Sequence, residues 1–306
     1  MKTNDLLVSI ALCTYNGEQY LAEQLESLVN QSYRNLEIVV NDDRSSDRTW
    51  EILKSFADRD QRITIVKNEK NLGYVKNFEK AIYSCKGQYV ALCDQDDVWD
   101  LNKIELMVNE SKGRLLIYHD SELIDANGIK LKRLSDLMNM YQGASPLPFL
   151  FNNCVSGHSC LISNRLVSIV KQNGGFDARF YHDWWMAFIA ANYGEIAYIN
   201  QTLVKYRQHS QSNTDILNVK EKMATGVKYP DINIKWLKHC ASVQGQHQAF
   251  IKRIIDLYEQ SNWIASFQLM RLLSEHTDEL LYFKKKDFWS KLNYLRKISF
   301  QKRKSN

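Results

Sequence analysis

Four short apolar runs dominate the first third of the chain: "LLVSIALC" (6–13), "NLEIVVNDD" (35–43), "RITIVKN" (62–68) and "QYVALC" (88–93). The stretches between them carry apolar residues at helical spacing. Leu21, Leu25, Leu28 and Val29 recur at i, i+4, i+7 and i+8, a stripe along one helix face. "SSDRTWEILKSFA" opens on a Ser/Asp cluster suited to a helix start. "NLGYVKNFEKAIYSCKG" places Val75, Phe78, Ala81 and Ile82 on a third helix, with Gly87 as its closing residue. Strands too apolar to show a face to water, alternating with amphipathic helices, predict a parallel sheet covered by helices on both sides. Such sheets bind ligands beyond the carboxyl ends of their strands. Here those ends carry Thr14, Tyr15 and Asn16, then Asp42 and Asp43, then Asp94 and Asp96, so polar groups from three strands converge on one rim.

The last of these ends is the most demanding. In "ALCDQDDVWD" (91–100) the carboxylates of Asp94, Asp96, Asp97 and Asp100 follow directly on an apolar run. Carboxylates this close repel one another unless a cation sits among them. The backbone cradles that usually hold phosphates, G-x-G-x-x-G after the first strand or G-x-x-x-x-G-K-[ST], do not occur in the chain. With little Lys or Arg beside the acids, a hard divalent cation, Mn2+ or Mg2+, carrying a substrate's phosphates is the expected partner. The plainer alternative is that the acids cap a helix beginning near Val98 or Trp99. Four acids within seven residues are more than capping requires.

The strand-end blocks "TYNG", "VVNDDRSSD", "NLGYVKNFEKA" and "YVALCDQDDVW", in this order and spacing, resemble the family 2 inverting glycosyltransferases, over about residues 6–210. Within them the chain looks most like bacterial rhamnosyltransferase-like enzymes of cell-surface polysaccharide synthesis. The resemblance implies an α/β fold of the GT-A type, with a mostly parallel central sheet flanked by helices. It implies a nucleotide-sugar-binding catalytic domain, placed here at 1–225. Thr14, Tyr15 and Asn16 match the loop packed around the nucleotide, and Asp42 or Asp43 matches the acid that accepts a hydrogen bond from the base or its neighbours. Arg44 stands where many relatives have glycine, which implies a different backbone there and a charge within reach of a phosphate. Asp94 and Asp96 match the metal-binding Asp-x-Asp, with Asp97 supporting them or capping the next helix.

In the second half, "GHSCLISNRL" (157–166) matches the family's strand near the donor sugar, with Gly157 allowing close approach and His158 polar among apolar neighbours. Asp183, at the start of an apolar helix, corresponds to the catalytic base. On residue chemistry alone it reads as an N-cap, and His182 beside it as a neighbour rather than the base. Inverting transfer needs one carboxylate to take the proton from the attacking hydroxyl. In "YRQHSQSN" (206–213), His209 is a candidate third metal ligand and Arg207 a candidate phosphate partner, the alternative being a solvated loop. Trp184 and Trp185 are candidates for a sugar-stacking platform, or equally for core.

Beyond residue 230 helical spacing returns, and residues 226–306 are expected to form an α-helical C-terminal extension. Its tail from Lys284 carries a net +8 against +5 for the whole chain, which leaves −3 on the first 283 residues. That asymmetry argues against a nucleic-acid-binding domain. Phe288, Trp289, Leu292 and Leu295 alternate with Lys285, Lys286, Lys291 and Lys297, the pattern of a helix lying in an anionic membrane surface. The alternative is a helix docked on the body with a solvated lysine face. The six cysteines form no C-x-x-C pair and read as buried thiols of a reducing cytoplasm. The N-terminus lacks a signal-peptide pattern, and no segment approaches the ~20 apolar residues of a membrane span. A cytoplasmic protein is expected, peripheral on the inner face of the plasma membrane if the tail binds there.

The expected reaction is therefore transfer from a UDP-hexose or dTDP-rhamnose to a saccharide or lipid-linked saccharide hydroxyl. A sugar nucleotidyltransferase is the first alternative. It is disfavoured because "CTYNGEQYLAE" has one Gly and no Lys or Arg where such enzymes need a glycine-rich basic loop. A non-catalytic nucleotide-sugar-binding protein is the second. A phosphatase would need its acid pair after the first strand.

Overall fold

The computed structural model describes residues 6–209, 232–260 and 262–300. Strands β1 (Val8–Thr14), β2 (Leu36–Asp42), β3 (Ile63–Lys67) and β4 (Tyr89–Cys93) alternate with helices α1 (Leu21–Val29), α2 (Thr49–Ala57) and α3 (Tyr74–Ser84). They pair in the order β3-β2-β1-β4, all parallel. Every residue of β1 is buried because successive side chains serve two different cores. Val8, Ile10 and Leu12 pack with Leu21, Leu25 and Leu53 of α1 and α2. Ala11 and Cys13 pack with Val75, Phe78 and Ile82 of α3. This is the doubly covered sheet the alternation predicts.

Gly87 has a different task from the one its position suggests. Helix α3 ends at Ser84, and Gly87 is not in a left-handed conformation. It lies against β1, where a Cβ would stand 2.7 Å from the Leu7 carbonyl and the Ser9 amide. The need is for close backbone approach.

After β4 the chain makes a tight acidic turn into β5 (Val98–Trp99). Then follow α4 (Lys103–Ser111), β6 (Leu116–Ile124), β7 (Lys130–Arg133), α5 (Leu134–Leu137), β8 (Cys160–Ser163), α6 (Asn164–Gln172), α7 (His182–Tyr193) and β9 (Ile196–Arg207). The sheet continues β4-β8-β6-β9-β5, and here it is mixed. β8 is antiparallel to both β4 and β6, β9 is parallel to β6, and β5 is antiparallel to β9. The parallel character thus belongs to the first four strands. The β5–β9 pairing matters most for the site, because it brings the end of β9, with Arg207 and His209, against the acidic turn.

Helices α8 (Ile234–Ala241), α9 (Gln248–Gln260), α10 (Trp263–Ser274), α11 (Thr277–Leu280) and α12 (Phe288–Phe300) complete the described chain. The expected boundary at 225/226 falls outside the described residues, as do residues 210–213 of the "YRQHSQSN" segment and 301–306 of the tail. The extension does not have a core of its own. Trp236, Leu237, Ile254, Leu269 and Leu295 belong to the same buried cluster as Phe149, Trp185 and Phe188. The six cysteines are unpaired, and all but Cys85 are buried. Among the described residues no helix is long and apolar enough to cross a membrane.

Trp236 is the side chain on which this shared core can be tested. It is buried, contacts the rings of Trp184, Trp185 and Phe188, and donates its indole N–H to the Phe149 carbonyl at 3.1 Å. Trp236→Ala is expected to lower the unfolding free energy by about 3–5 kcal/mol. Urea denaturation followed by fluorescence and by circular dichroism should still give one coincident transition.

Candidate active site

The rim beyond β1 and β2 is tied together before any ligand arrives. The Asp42 carboxylate is buried and accepts from Thr14 Oγ1 (3.0 Å), from the Ser45 amide (3.0 Å) and from Ser45 Oγ. Ser45 Oγ in turn accepts from the Asn16 amide (2.9 Å), and Asn16 Oδ1 accepts from the Ser46 amide (2.9 Å). Asp43, also buried, accepts from Asn68 Nδ2 (2.9 Å) and from the amides of Leu72 (2.8 Å) and Gly73 (2.9 Å). Both carboxylates therefore organise loops, Asp42 the loop after β1 and Asp43 the loop before α3.

Arg44 corrects its expectation. Its backbone takes the left-handed conformation (φ 66°) that a glycine would adopt, at a cost of about 1 kcal/mol for a residue with a Cβ. Its guanidinium donates to the Glu69 carbonyl (2.7 Å).

The acidic turn is locked to the same loop. Gln95, the variable residue of the Asp-x-Asp, accepts from the Tyr15 amide (2.8 Å) and donates to the Tyr15 carbonyl (3.1 Å). Gly17 leaves room for it, since a Cβ there would lie 2.3 Å from Gln95 Oε1. Tyr15 itself is exposed.

The three acids then part company. Asp96 meets His209 Nε2 at 2.8 Å, which brings together two of the expected metal ligands. Asp94, whose side chain is 41% exposed, and the fully buried Asp97 face His158, with Nδ1–Oδ2 distances of 4.0 and 3.8 Å. Ligand atoms of Asp94, Asp97 and His158 lie within 4.8 Å of one another. Asp97 Oδ1 accepts from the Arg207 amide (3.0 Å), whereas its Oδ2 has no hydrogen-bond partner among the described residues. A buried orphan carboxylate oxygen costs free energy unless something binds it. An oxygen and imidazole set of this kind suits Mn2+ or Mg2+. Asp97 and His158 thus stand closer to such a role than the sequence indicates. His158 is buried, and its Nε2 is 2.8 Å from Ser121 Oγ. Burial, helped by Lys103, pulls its pKa well below the usual histidine range and keeps it neutral, as a ligand must be.

Two cations sit among these acids, and the sequence reading leaves out the first of them. Lys103 is wholly buried on α4, its Nζ donating to the His158 carbonyl (2.6 Å) and lying 3.2 Å above the Trp99 ring. Burial pulls its ammonium down to about 7, while Cys93, Asp97, Cys160 and Asp94 hold it up. Arg207 is the second. Its guanidinium, expected to serve a phosphate, engages Glu23 Oε2 (2.7 Å), the Asp96 carbonyl (2.8 Å), the Ala126 carbonyl (3.3 Å) and the Tyr20 ring (4.5 Å to its centroid). It positions the turn. A sequence signal for Lys103 does exist, since it shares the buried face of α4 with Ile104, Met107 and Val108. Burial and the like charges of Asp96 and Asp94 push the Asp97 carboxyl up, against the Arg207 amide and Lys103. Burial with Asp96 and Asp183 pushes Asp94 up as well, so Asp183 acts on the same pocket.

Asp183 lies in the first turn of α7, partly exposed, and does not serve as its N-cap. Its carboxylate accepts from the Trp184 amide (2.6 Å) and from the Gly157 amide (3.1 Å). Burial pushes its pKa up to about 6, against those two amides. Gly157 permits a further close approach, because a Cβ would stand 3.1 Å from His182 Nε2. His182 is buried against Phe78 (4.3 Å between centroids), and burial draws it down to about 3, which fits a neighbour and not a base. Trp185 is core, donating to the Gly175 carbonyl (3.1 Å), so the platform expectation fails for it. Trp184 is half-buried, with its indole N–H on the Phe149 carbonyl (2.6 Å).

With this geometry in view, comparison with known proteins is informative. Residues 9–134 match the glycosyl transferase family 2 model. An uncharacterised glycosyltransferase of Methanocaldococcus jannaschii is 29% identical over 213 residues, 68% of this chain and 72% of that protein. The Escherichia coli UDP-Glc:alpha-D-GlcNAc-diphosphoundecaprenol beta-1,3-glucosyltransferase WfaP is 36% identical over 103 residues, 34% of this chain and 40% of that one. Among solved structures, Staphylococcus aureus TarS in complex with UDP-GlcNAc superposes with a TM-score of 0.60 at 15% identity, covering 96% of this chain and 90% of that one. The mannosyltransferase PcManGT from Pyrobaculum calidifontis, in complex with GDP-Man and Mn2+, gives 0.54 at 15% identity, covering 94% and 84%. At such identities the likeness is one of fold, and that fold is GT-A.

The balance of charge in the acidic turn has a direct test. Lys103→Met keeps the side chain's bulk and removes its charge from beside Asp97. It is expected to cost about 3–5 kcal/mol of stability near neutral pH. Adding Asp97→Asn should recover a large part of that loss, read as a double-mutant cycle in urea.

Proposed function

Since the chain carries a family 2 glycosyl transferase domain on a GT-A fold, we propose that it is an inverting, metal-dependent glycosyltransferase. It moves a sugar from a nucleotide-diphosphate donor, a UDP-hexose or dTDP-rhamnose, to a hydroxyl of a saccharide or lipid-linked saccharide in cell-surface polysaccharide synthesis. The lipid-linked acceptor places it at the inner face of the plasma membrane, with residues 284–306 as the expected contact.

The observation that carries this reading is the setting of Asp183. Its carboxylate is held by the Gly157 and Trp184 amides, belongs to a residue that is only partly buried, and acts electrostatically on Asp94 of the acidic turn. One base facing one acid turn suits single displacement. Asp183 takes the proton of the acceptor hydroxyl as that oxygen bonds to the anomeric carbon. The bond from this carbon to the diphosphate oxygen breaks on the opposite face, and the nucleoside diphosphate leaves with the electron pair. The loop of Thr14, Tyr15 and Asn16, with Asp42 and Asp43, shapes the nucleotide side. Gly157 and the half-buried Trp184 lie on the sugar side.

Asp94, Asp96 and His209, supported by Asp97 and His158, are the residues that would hold a divalent cation. When bound, that ion supplies positive charge for the departing diphosphate.

Asp183→Asn is expected to lower turnover by at least about a thousandfold while leaving donor affinity within about twofold. Donor titration and product assay on the same preparation read the two effects separately. Because Asp183 must be ionised and its pKa stands at about 6, kcat/KM should rise with pH through about 6 and level off above it. Asp96→Ala is expected to abolish the Mn2+-dependent part of donor binding in calorimetric titration. Unchanged metal dependence would remove Asp96 from the ligand set.

A further inference from the structure

Helices α10 and α12 pack on each other and keep large apolar side chains in solvent. On α10, Ala265, Leu269 and Leu273 are buried, and the opposite face presents Trp263, Ile264 and Phe267 at 74%, 65% and 56% exposure. The Trp263 and Phe267 rings stack, 6.3 Å between centroids, one turn apart. On α12, Leu295 and Ile298 are buried. Residues 289, 293, 296, 297 and 300, at i, i+4, i+7, i+8 and i+11, share the outer face. That face sets Trp289 (75% exposed) and Phe300 at its two ends, with Arg296 and Lys297 between them. The other five tryptophans (Trp50, Trp99, Trp184, Trp185 and Trp236) are buried or half-buried. Scattered exposed apolar residues are ordinary, but aromatics gathered on one helix pair mark a contact surface.

We propose that α10 and α12, which pack on each other, carry a docking face for an anionic lipid bilayer, with Trp263, Ile264 and Phe267 of α10 and Trp289 of α12 inserting at the headgroup boundary. This rests on the lipid-linked acceptor reading and extends it from the tail to helix α10. Charge selects the occupant. The chain from Lys284 onward carries a net +8 with Asp287 as its one acid. Lys285 and Lys291 of that set turn to the Ser135 carbonyl and to Asp278, whereas Arg296 and Lys297 are exposed on the outer face of α12. Protein contact surfaces are depleted in lysine. A second copy would bring an equal positive charge against the first. Anionic headgroups complement that charge, and tryptophan favours the boundary between headgroups and acyl chains.

The experiment uses the full chain with vesicles of phosphatidylcholine alone or mixed with phosphatidylglycerol, read by sedimentation and by tryptophan quenching with brominated lipid. Strong, salt-sensitive binding to the anionic vesicles is expected. The paired change Trp263→Ser and Phe267→Ser should weaken it by about tenfold, and Trp289→Ser by a similar factor. Arg296→Glu with Lys297→Glu should remove the preference for anionic lipid. These side chains are exposed, so thermal melting should show the variants folded. Binding undiminished by the α10 pair, or no vesicle binding at all, overturns the proposal. So does self-association in sedimentation velocity that the same variants abolish without any vesicle binding. Donor titration without vesicles should be unchanged in every variant. A wild-type chain that binds vesicles but neither binds nor transfers a sugar overturns the transferase reading and leaves the docking face standing.

Discussion

The acidic turn between β4 and β5 is tolerable because the fold brings its own cations to it. Three carboxylates within four residues would repel one another strongly in a poorly solvated pocket. Lys103 approaches from α4, Arg207 from the end of β9, and the backbone amide of Arg207 takes one oxygen of Asp97. Each cation also ties down a second element, Lys103 the chain at His158 and Arg207 the first turn of α1 through Glu23. Charge compensation and the joining of the sheet's two halves are therefore one set of contacts. The cationic complement stops short of the anionic one, and Asp97 Oδ2 stays without a partner. Burial still pushes the Asp94 and Asp97 carboxyls up, so the turn retains a need for positive charge that a bound ion would meet.

The parallel half of the fold was legible because its signal is local. A strand buried on both faces has to be apolar throughout, and a helix covering it has to be striped, so 6–93 announces its own architecture. The second half was less so. β8, β6 and β9 join the sheet through pairings set by distant parts of the chain, and β8 is buried throughout although it runs antiparallel to both of its neighbours, so its apolar run gives no sign of its direction. The GT-A resemblance gave the fold class there, while the mixed order is visible only in the pairing itself.

The site divides along the same line. Asp94, Asp96 and His209 could be singled out by residue type and motif, and the structure does bring Asp96 and His209 into contact. The contacts that Arg207 makes within the chain are not legible in sequence, because Glu23, Ala126 and Asp96 are all remote from it and two of the three are met at backbone carbonyls. Lys103 was overlooked because a lysine six residues past Asp97 reads as solvated until its helix is seen to bury that face. Trp184 and Trp185 are adjacent and chemically alike, yet Trp185 is fully core while Trp184 is half-buried at the edge of the same ring cluster. A pair of residue letters does not carry that distinction.

The C-terminal helices bear on the chemistry through a single carbonyl. Phe149 O accepts the indole N–H of Trp184, one residue past the proposed base, and also that of Trp236 in α8. Helix α7 is buried on nearly every side from Trp185 to Ala191, so it has almost no freedom to shift along its axis. Its first turn is the exception, and there Asp183 meets solvent. A carboxylate that must hold one orientation toward a sugar carbon benefits from a rigid support behind it. Here the support is assembled from both parts of the chain, because removing α8 would strip one of the two donors from Phe149 and open the ring cluster against which Trp184 packs. The extension is then part of what fixes the base, and a surface carried on α10 and α12 is mechanically continuous with it through the shared core.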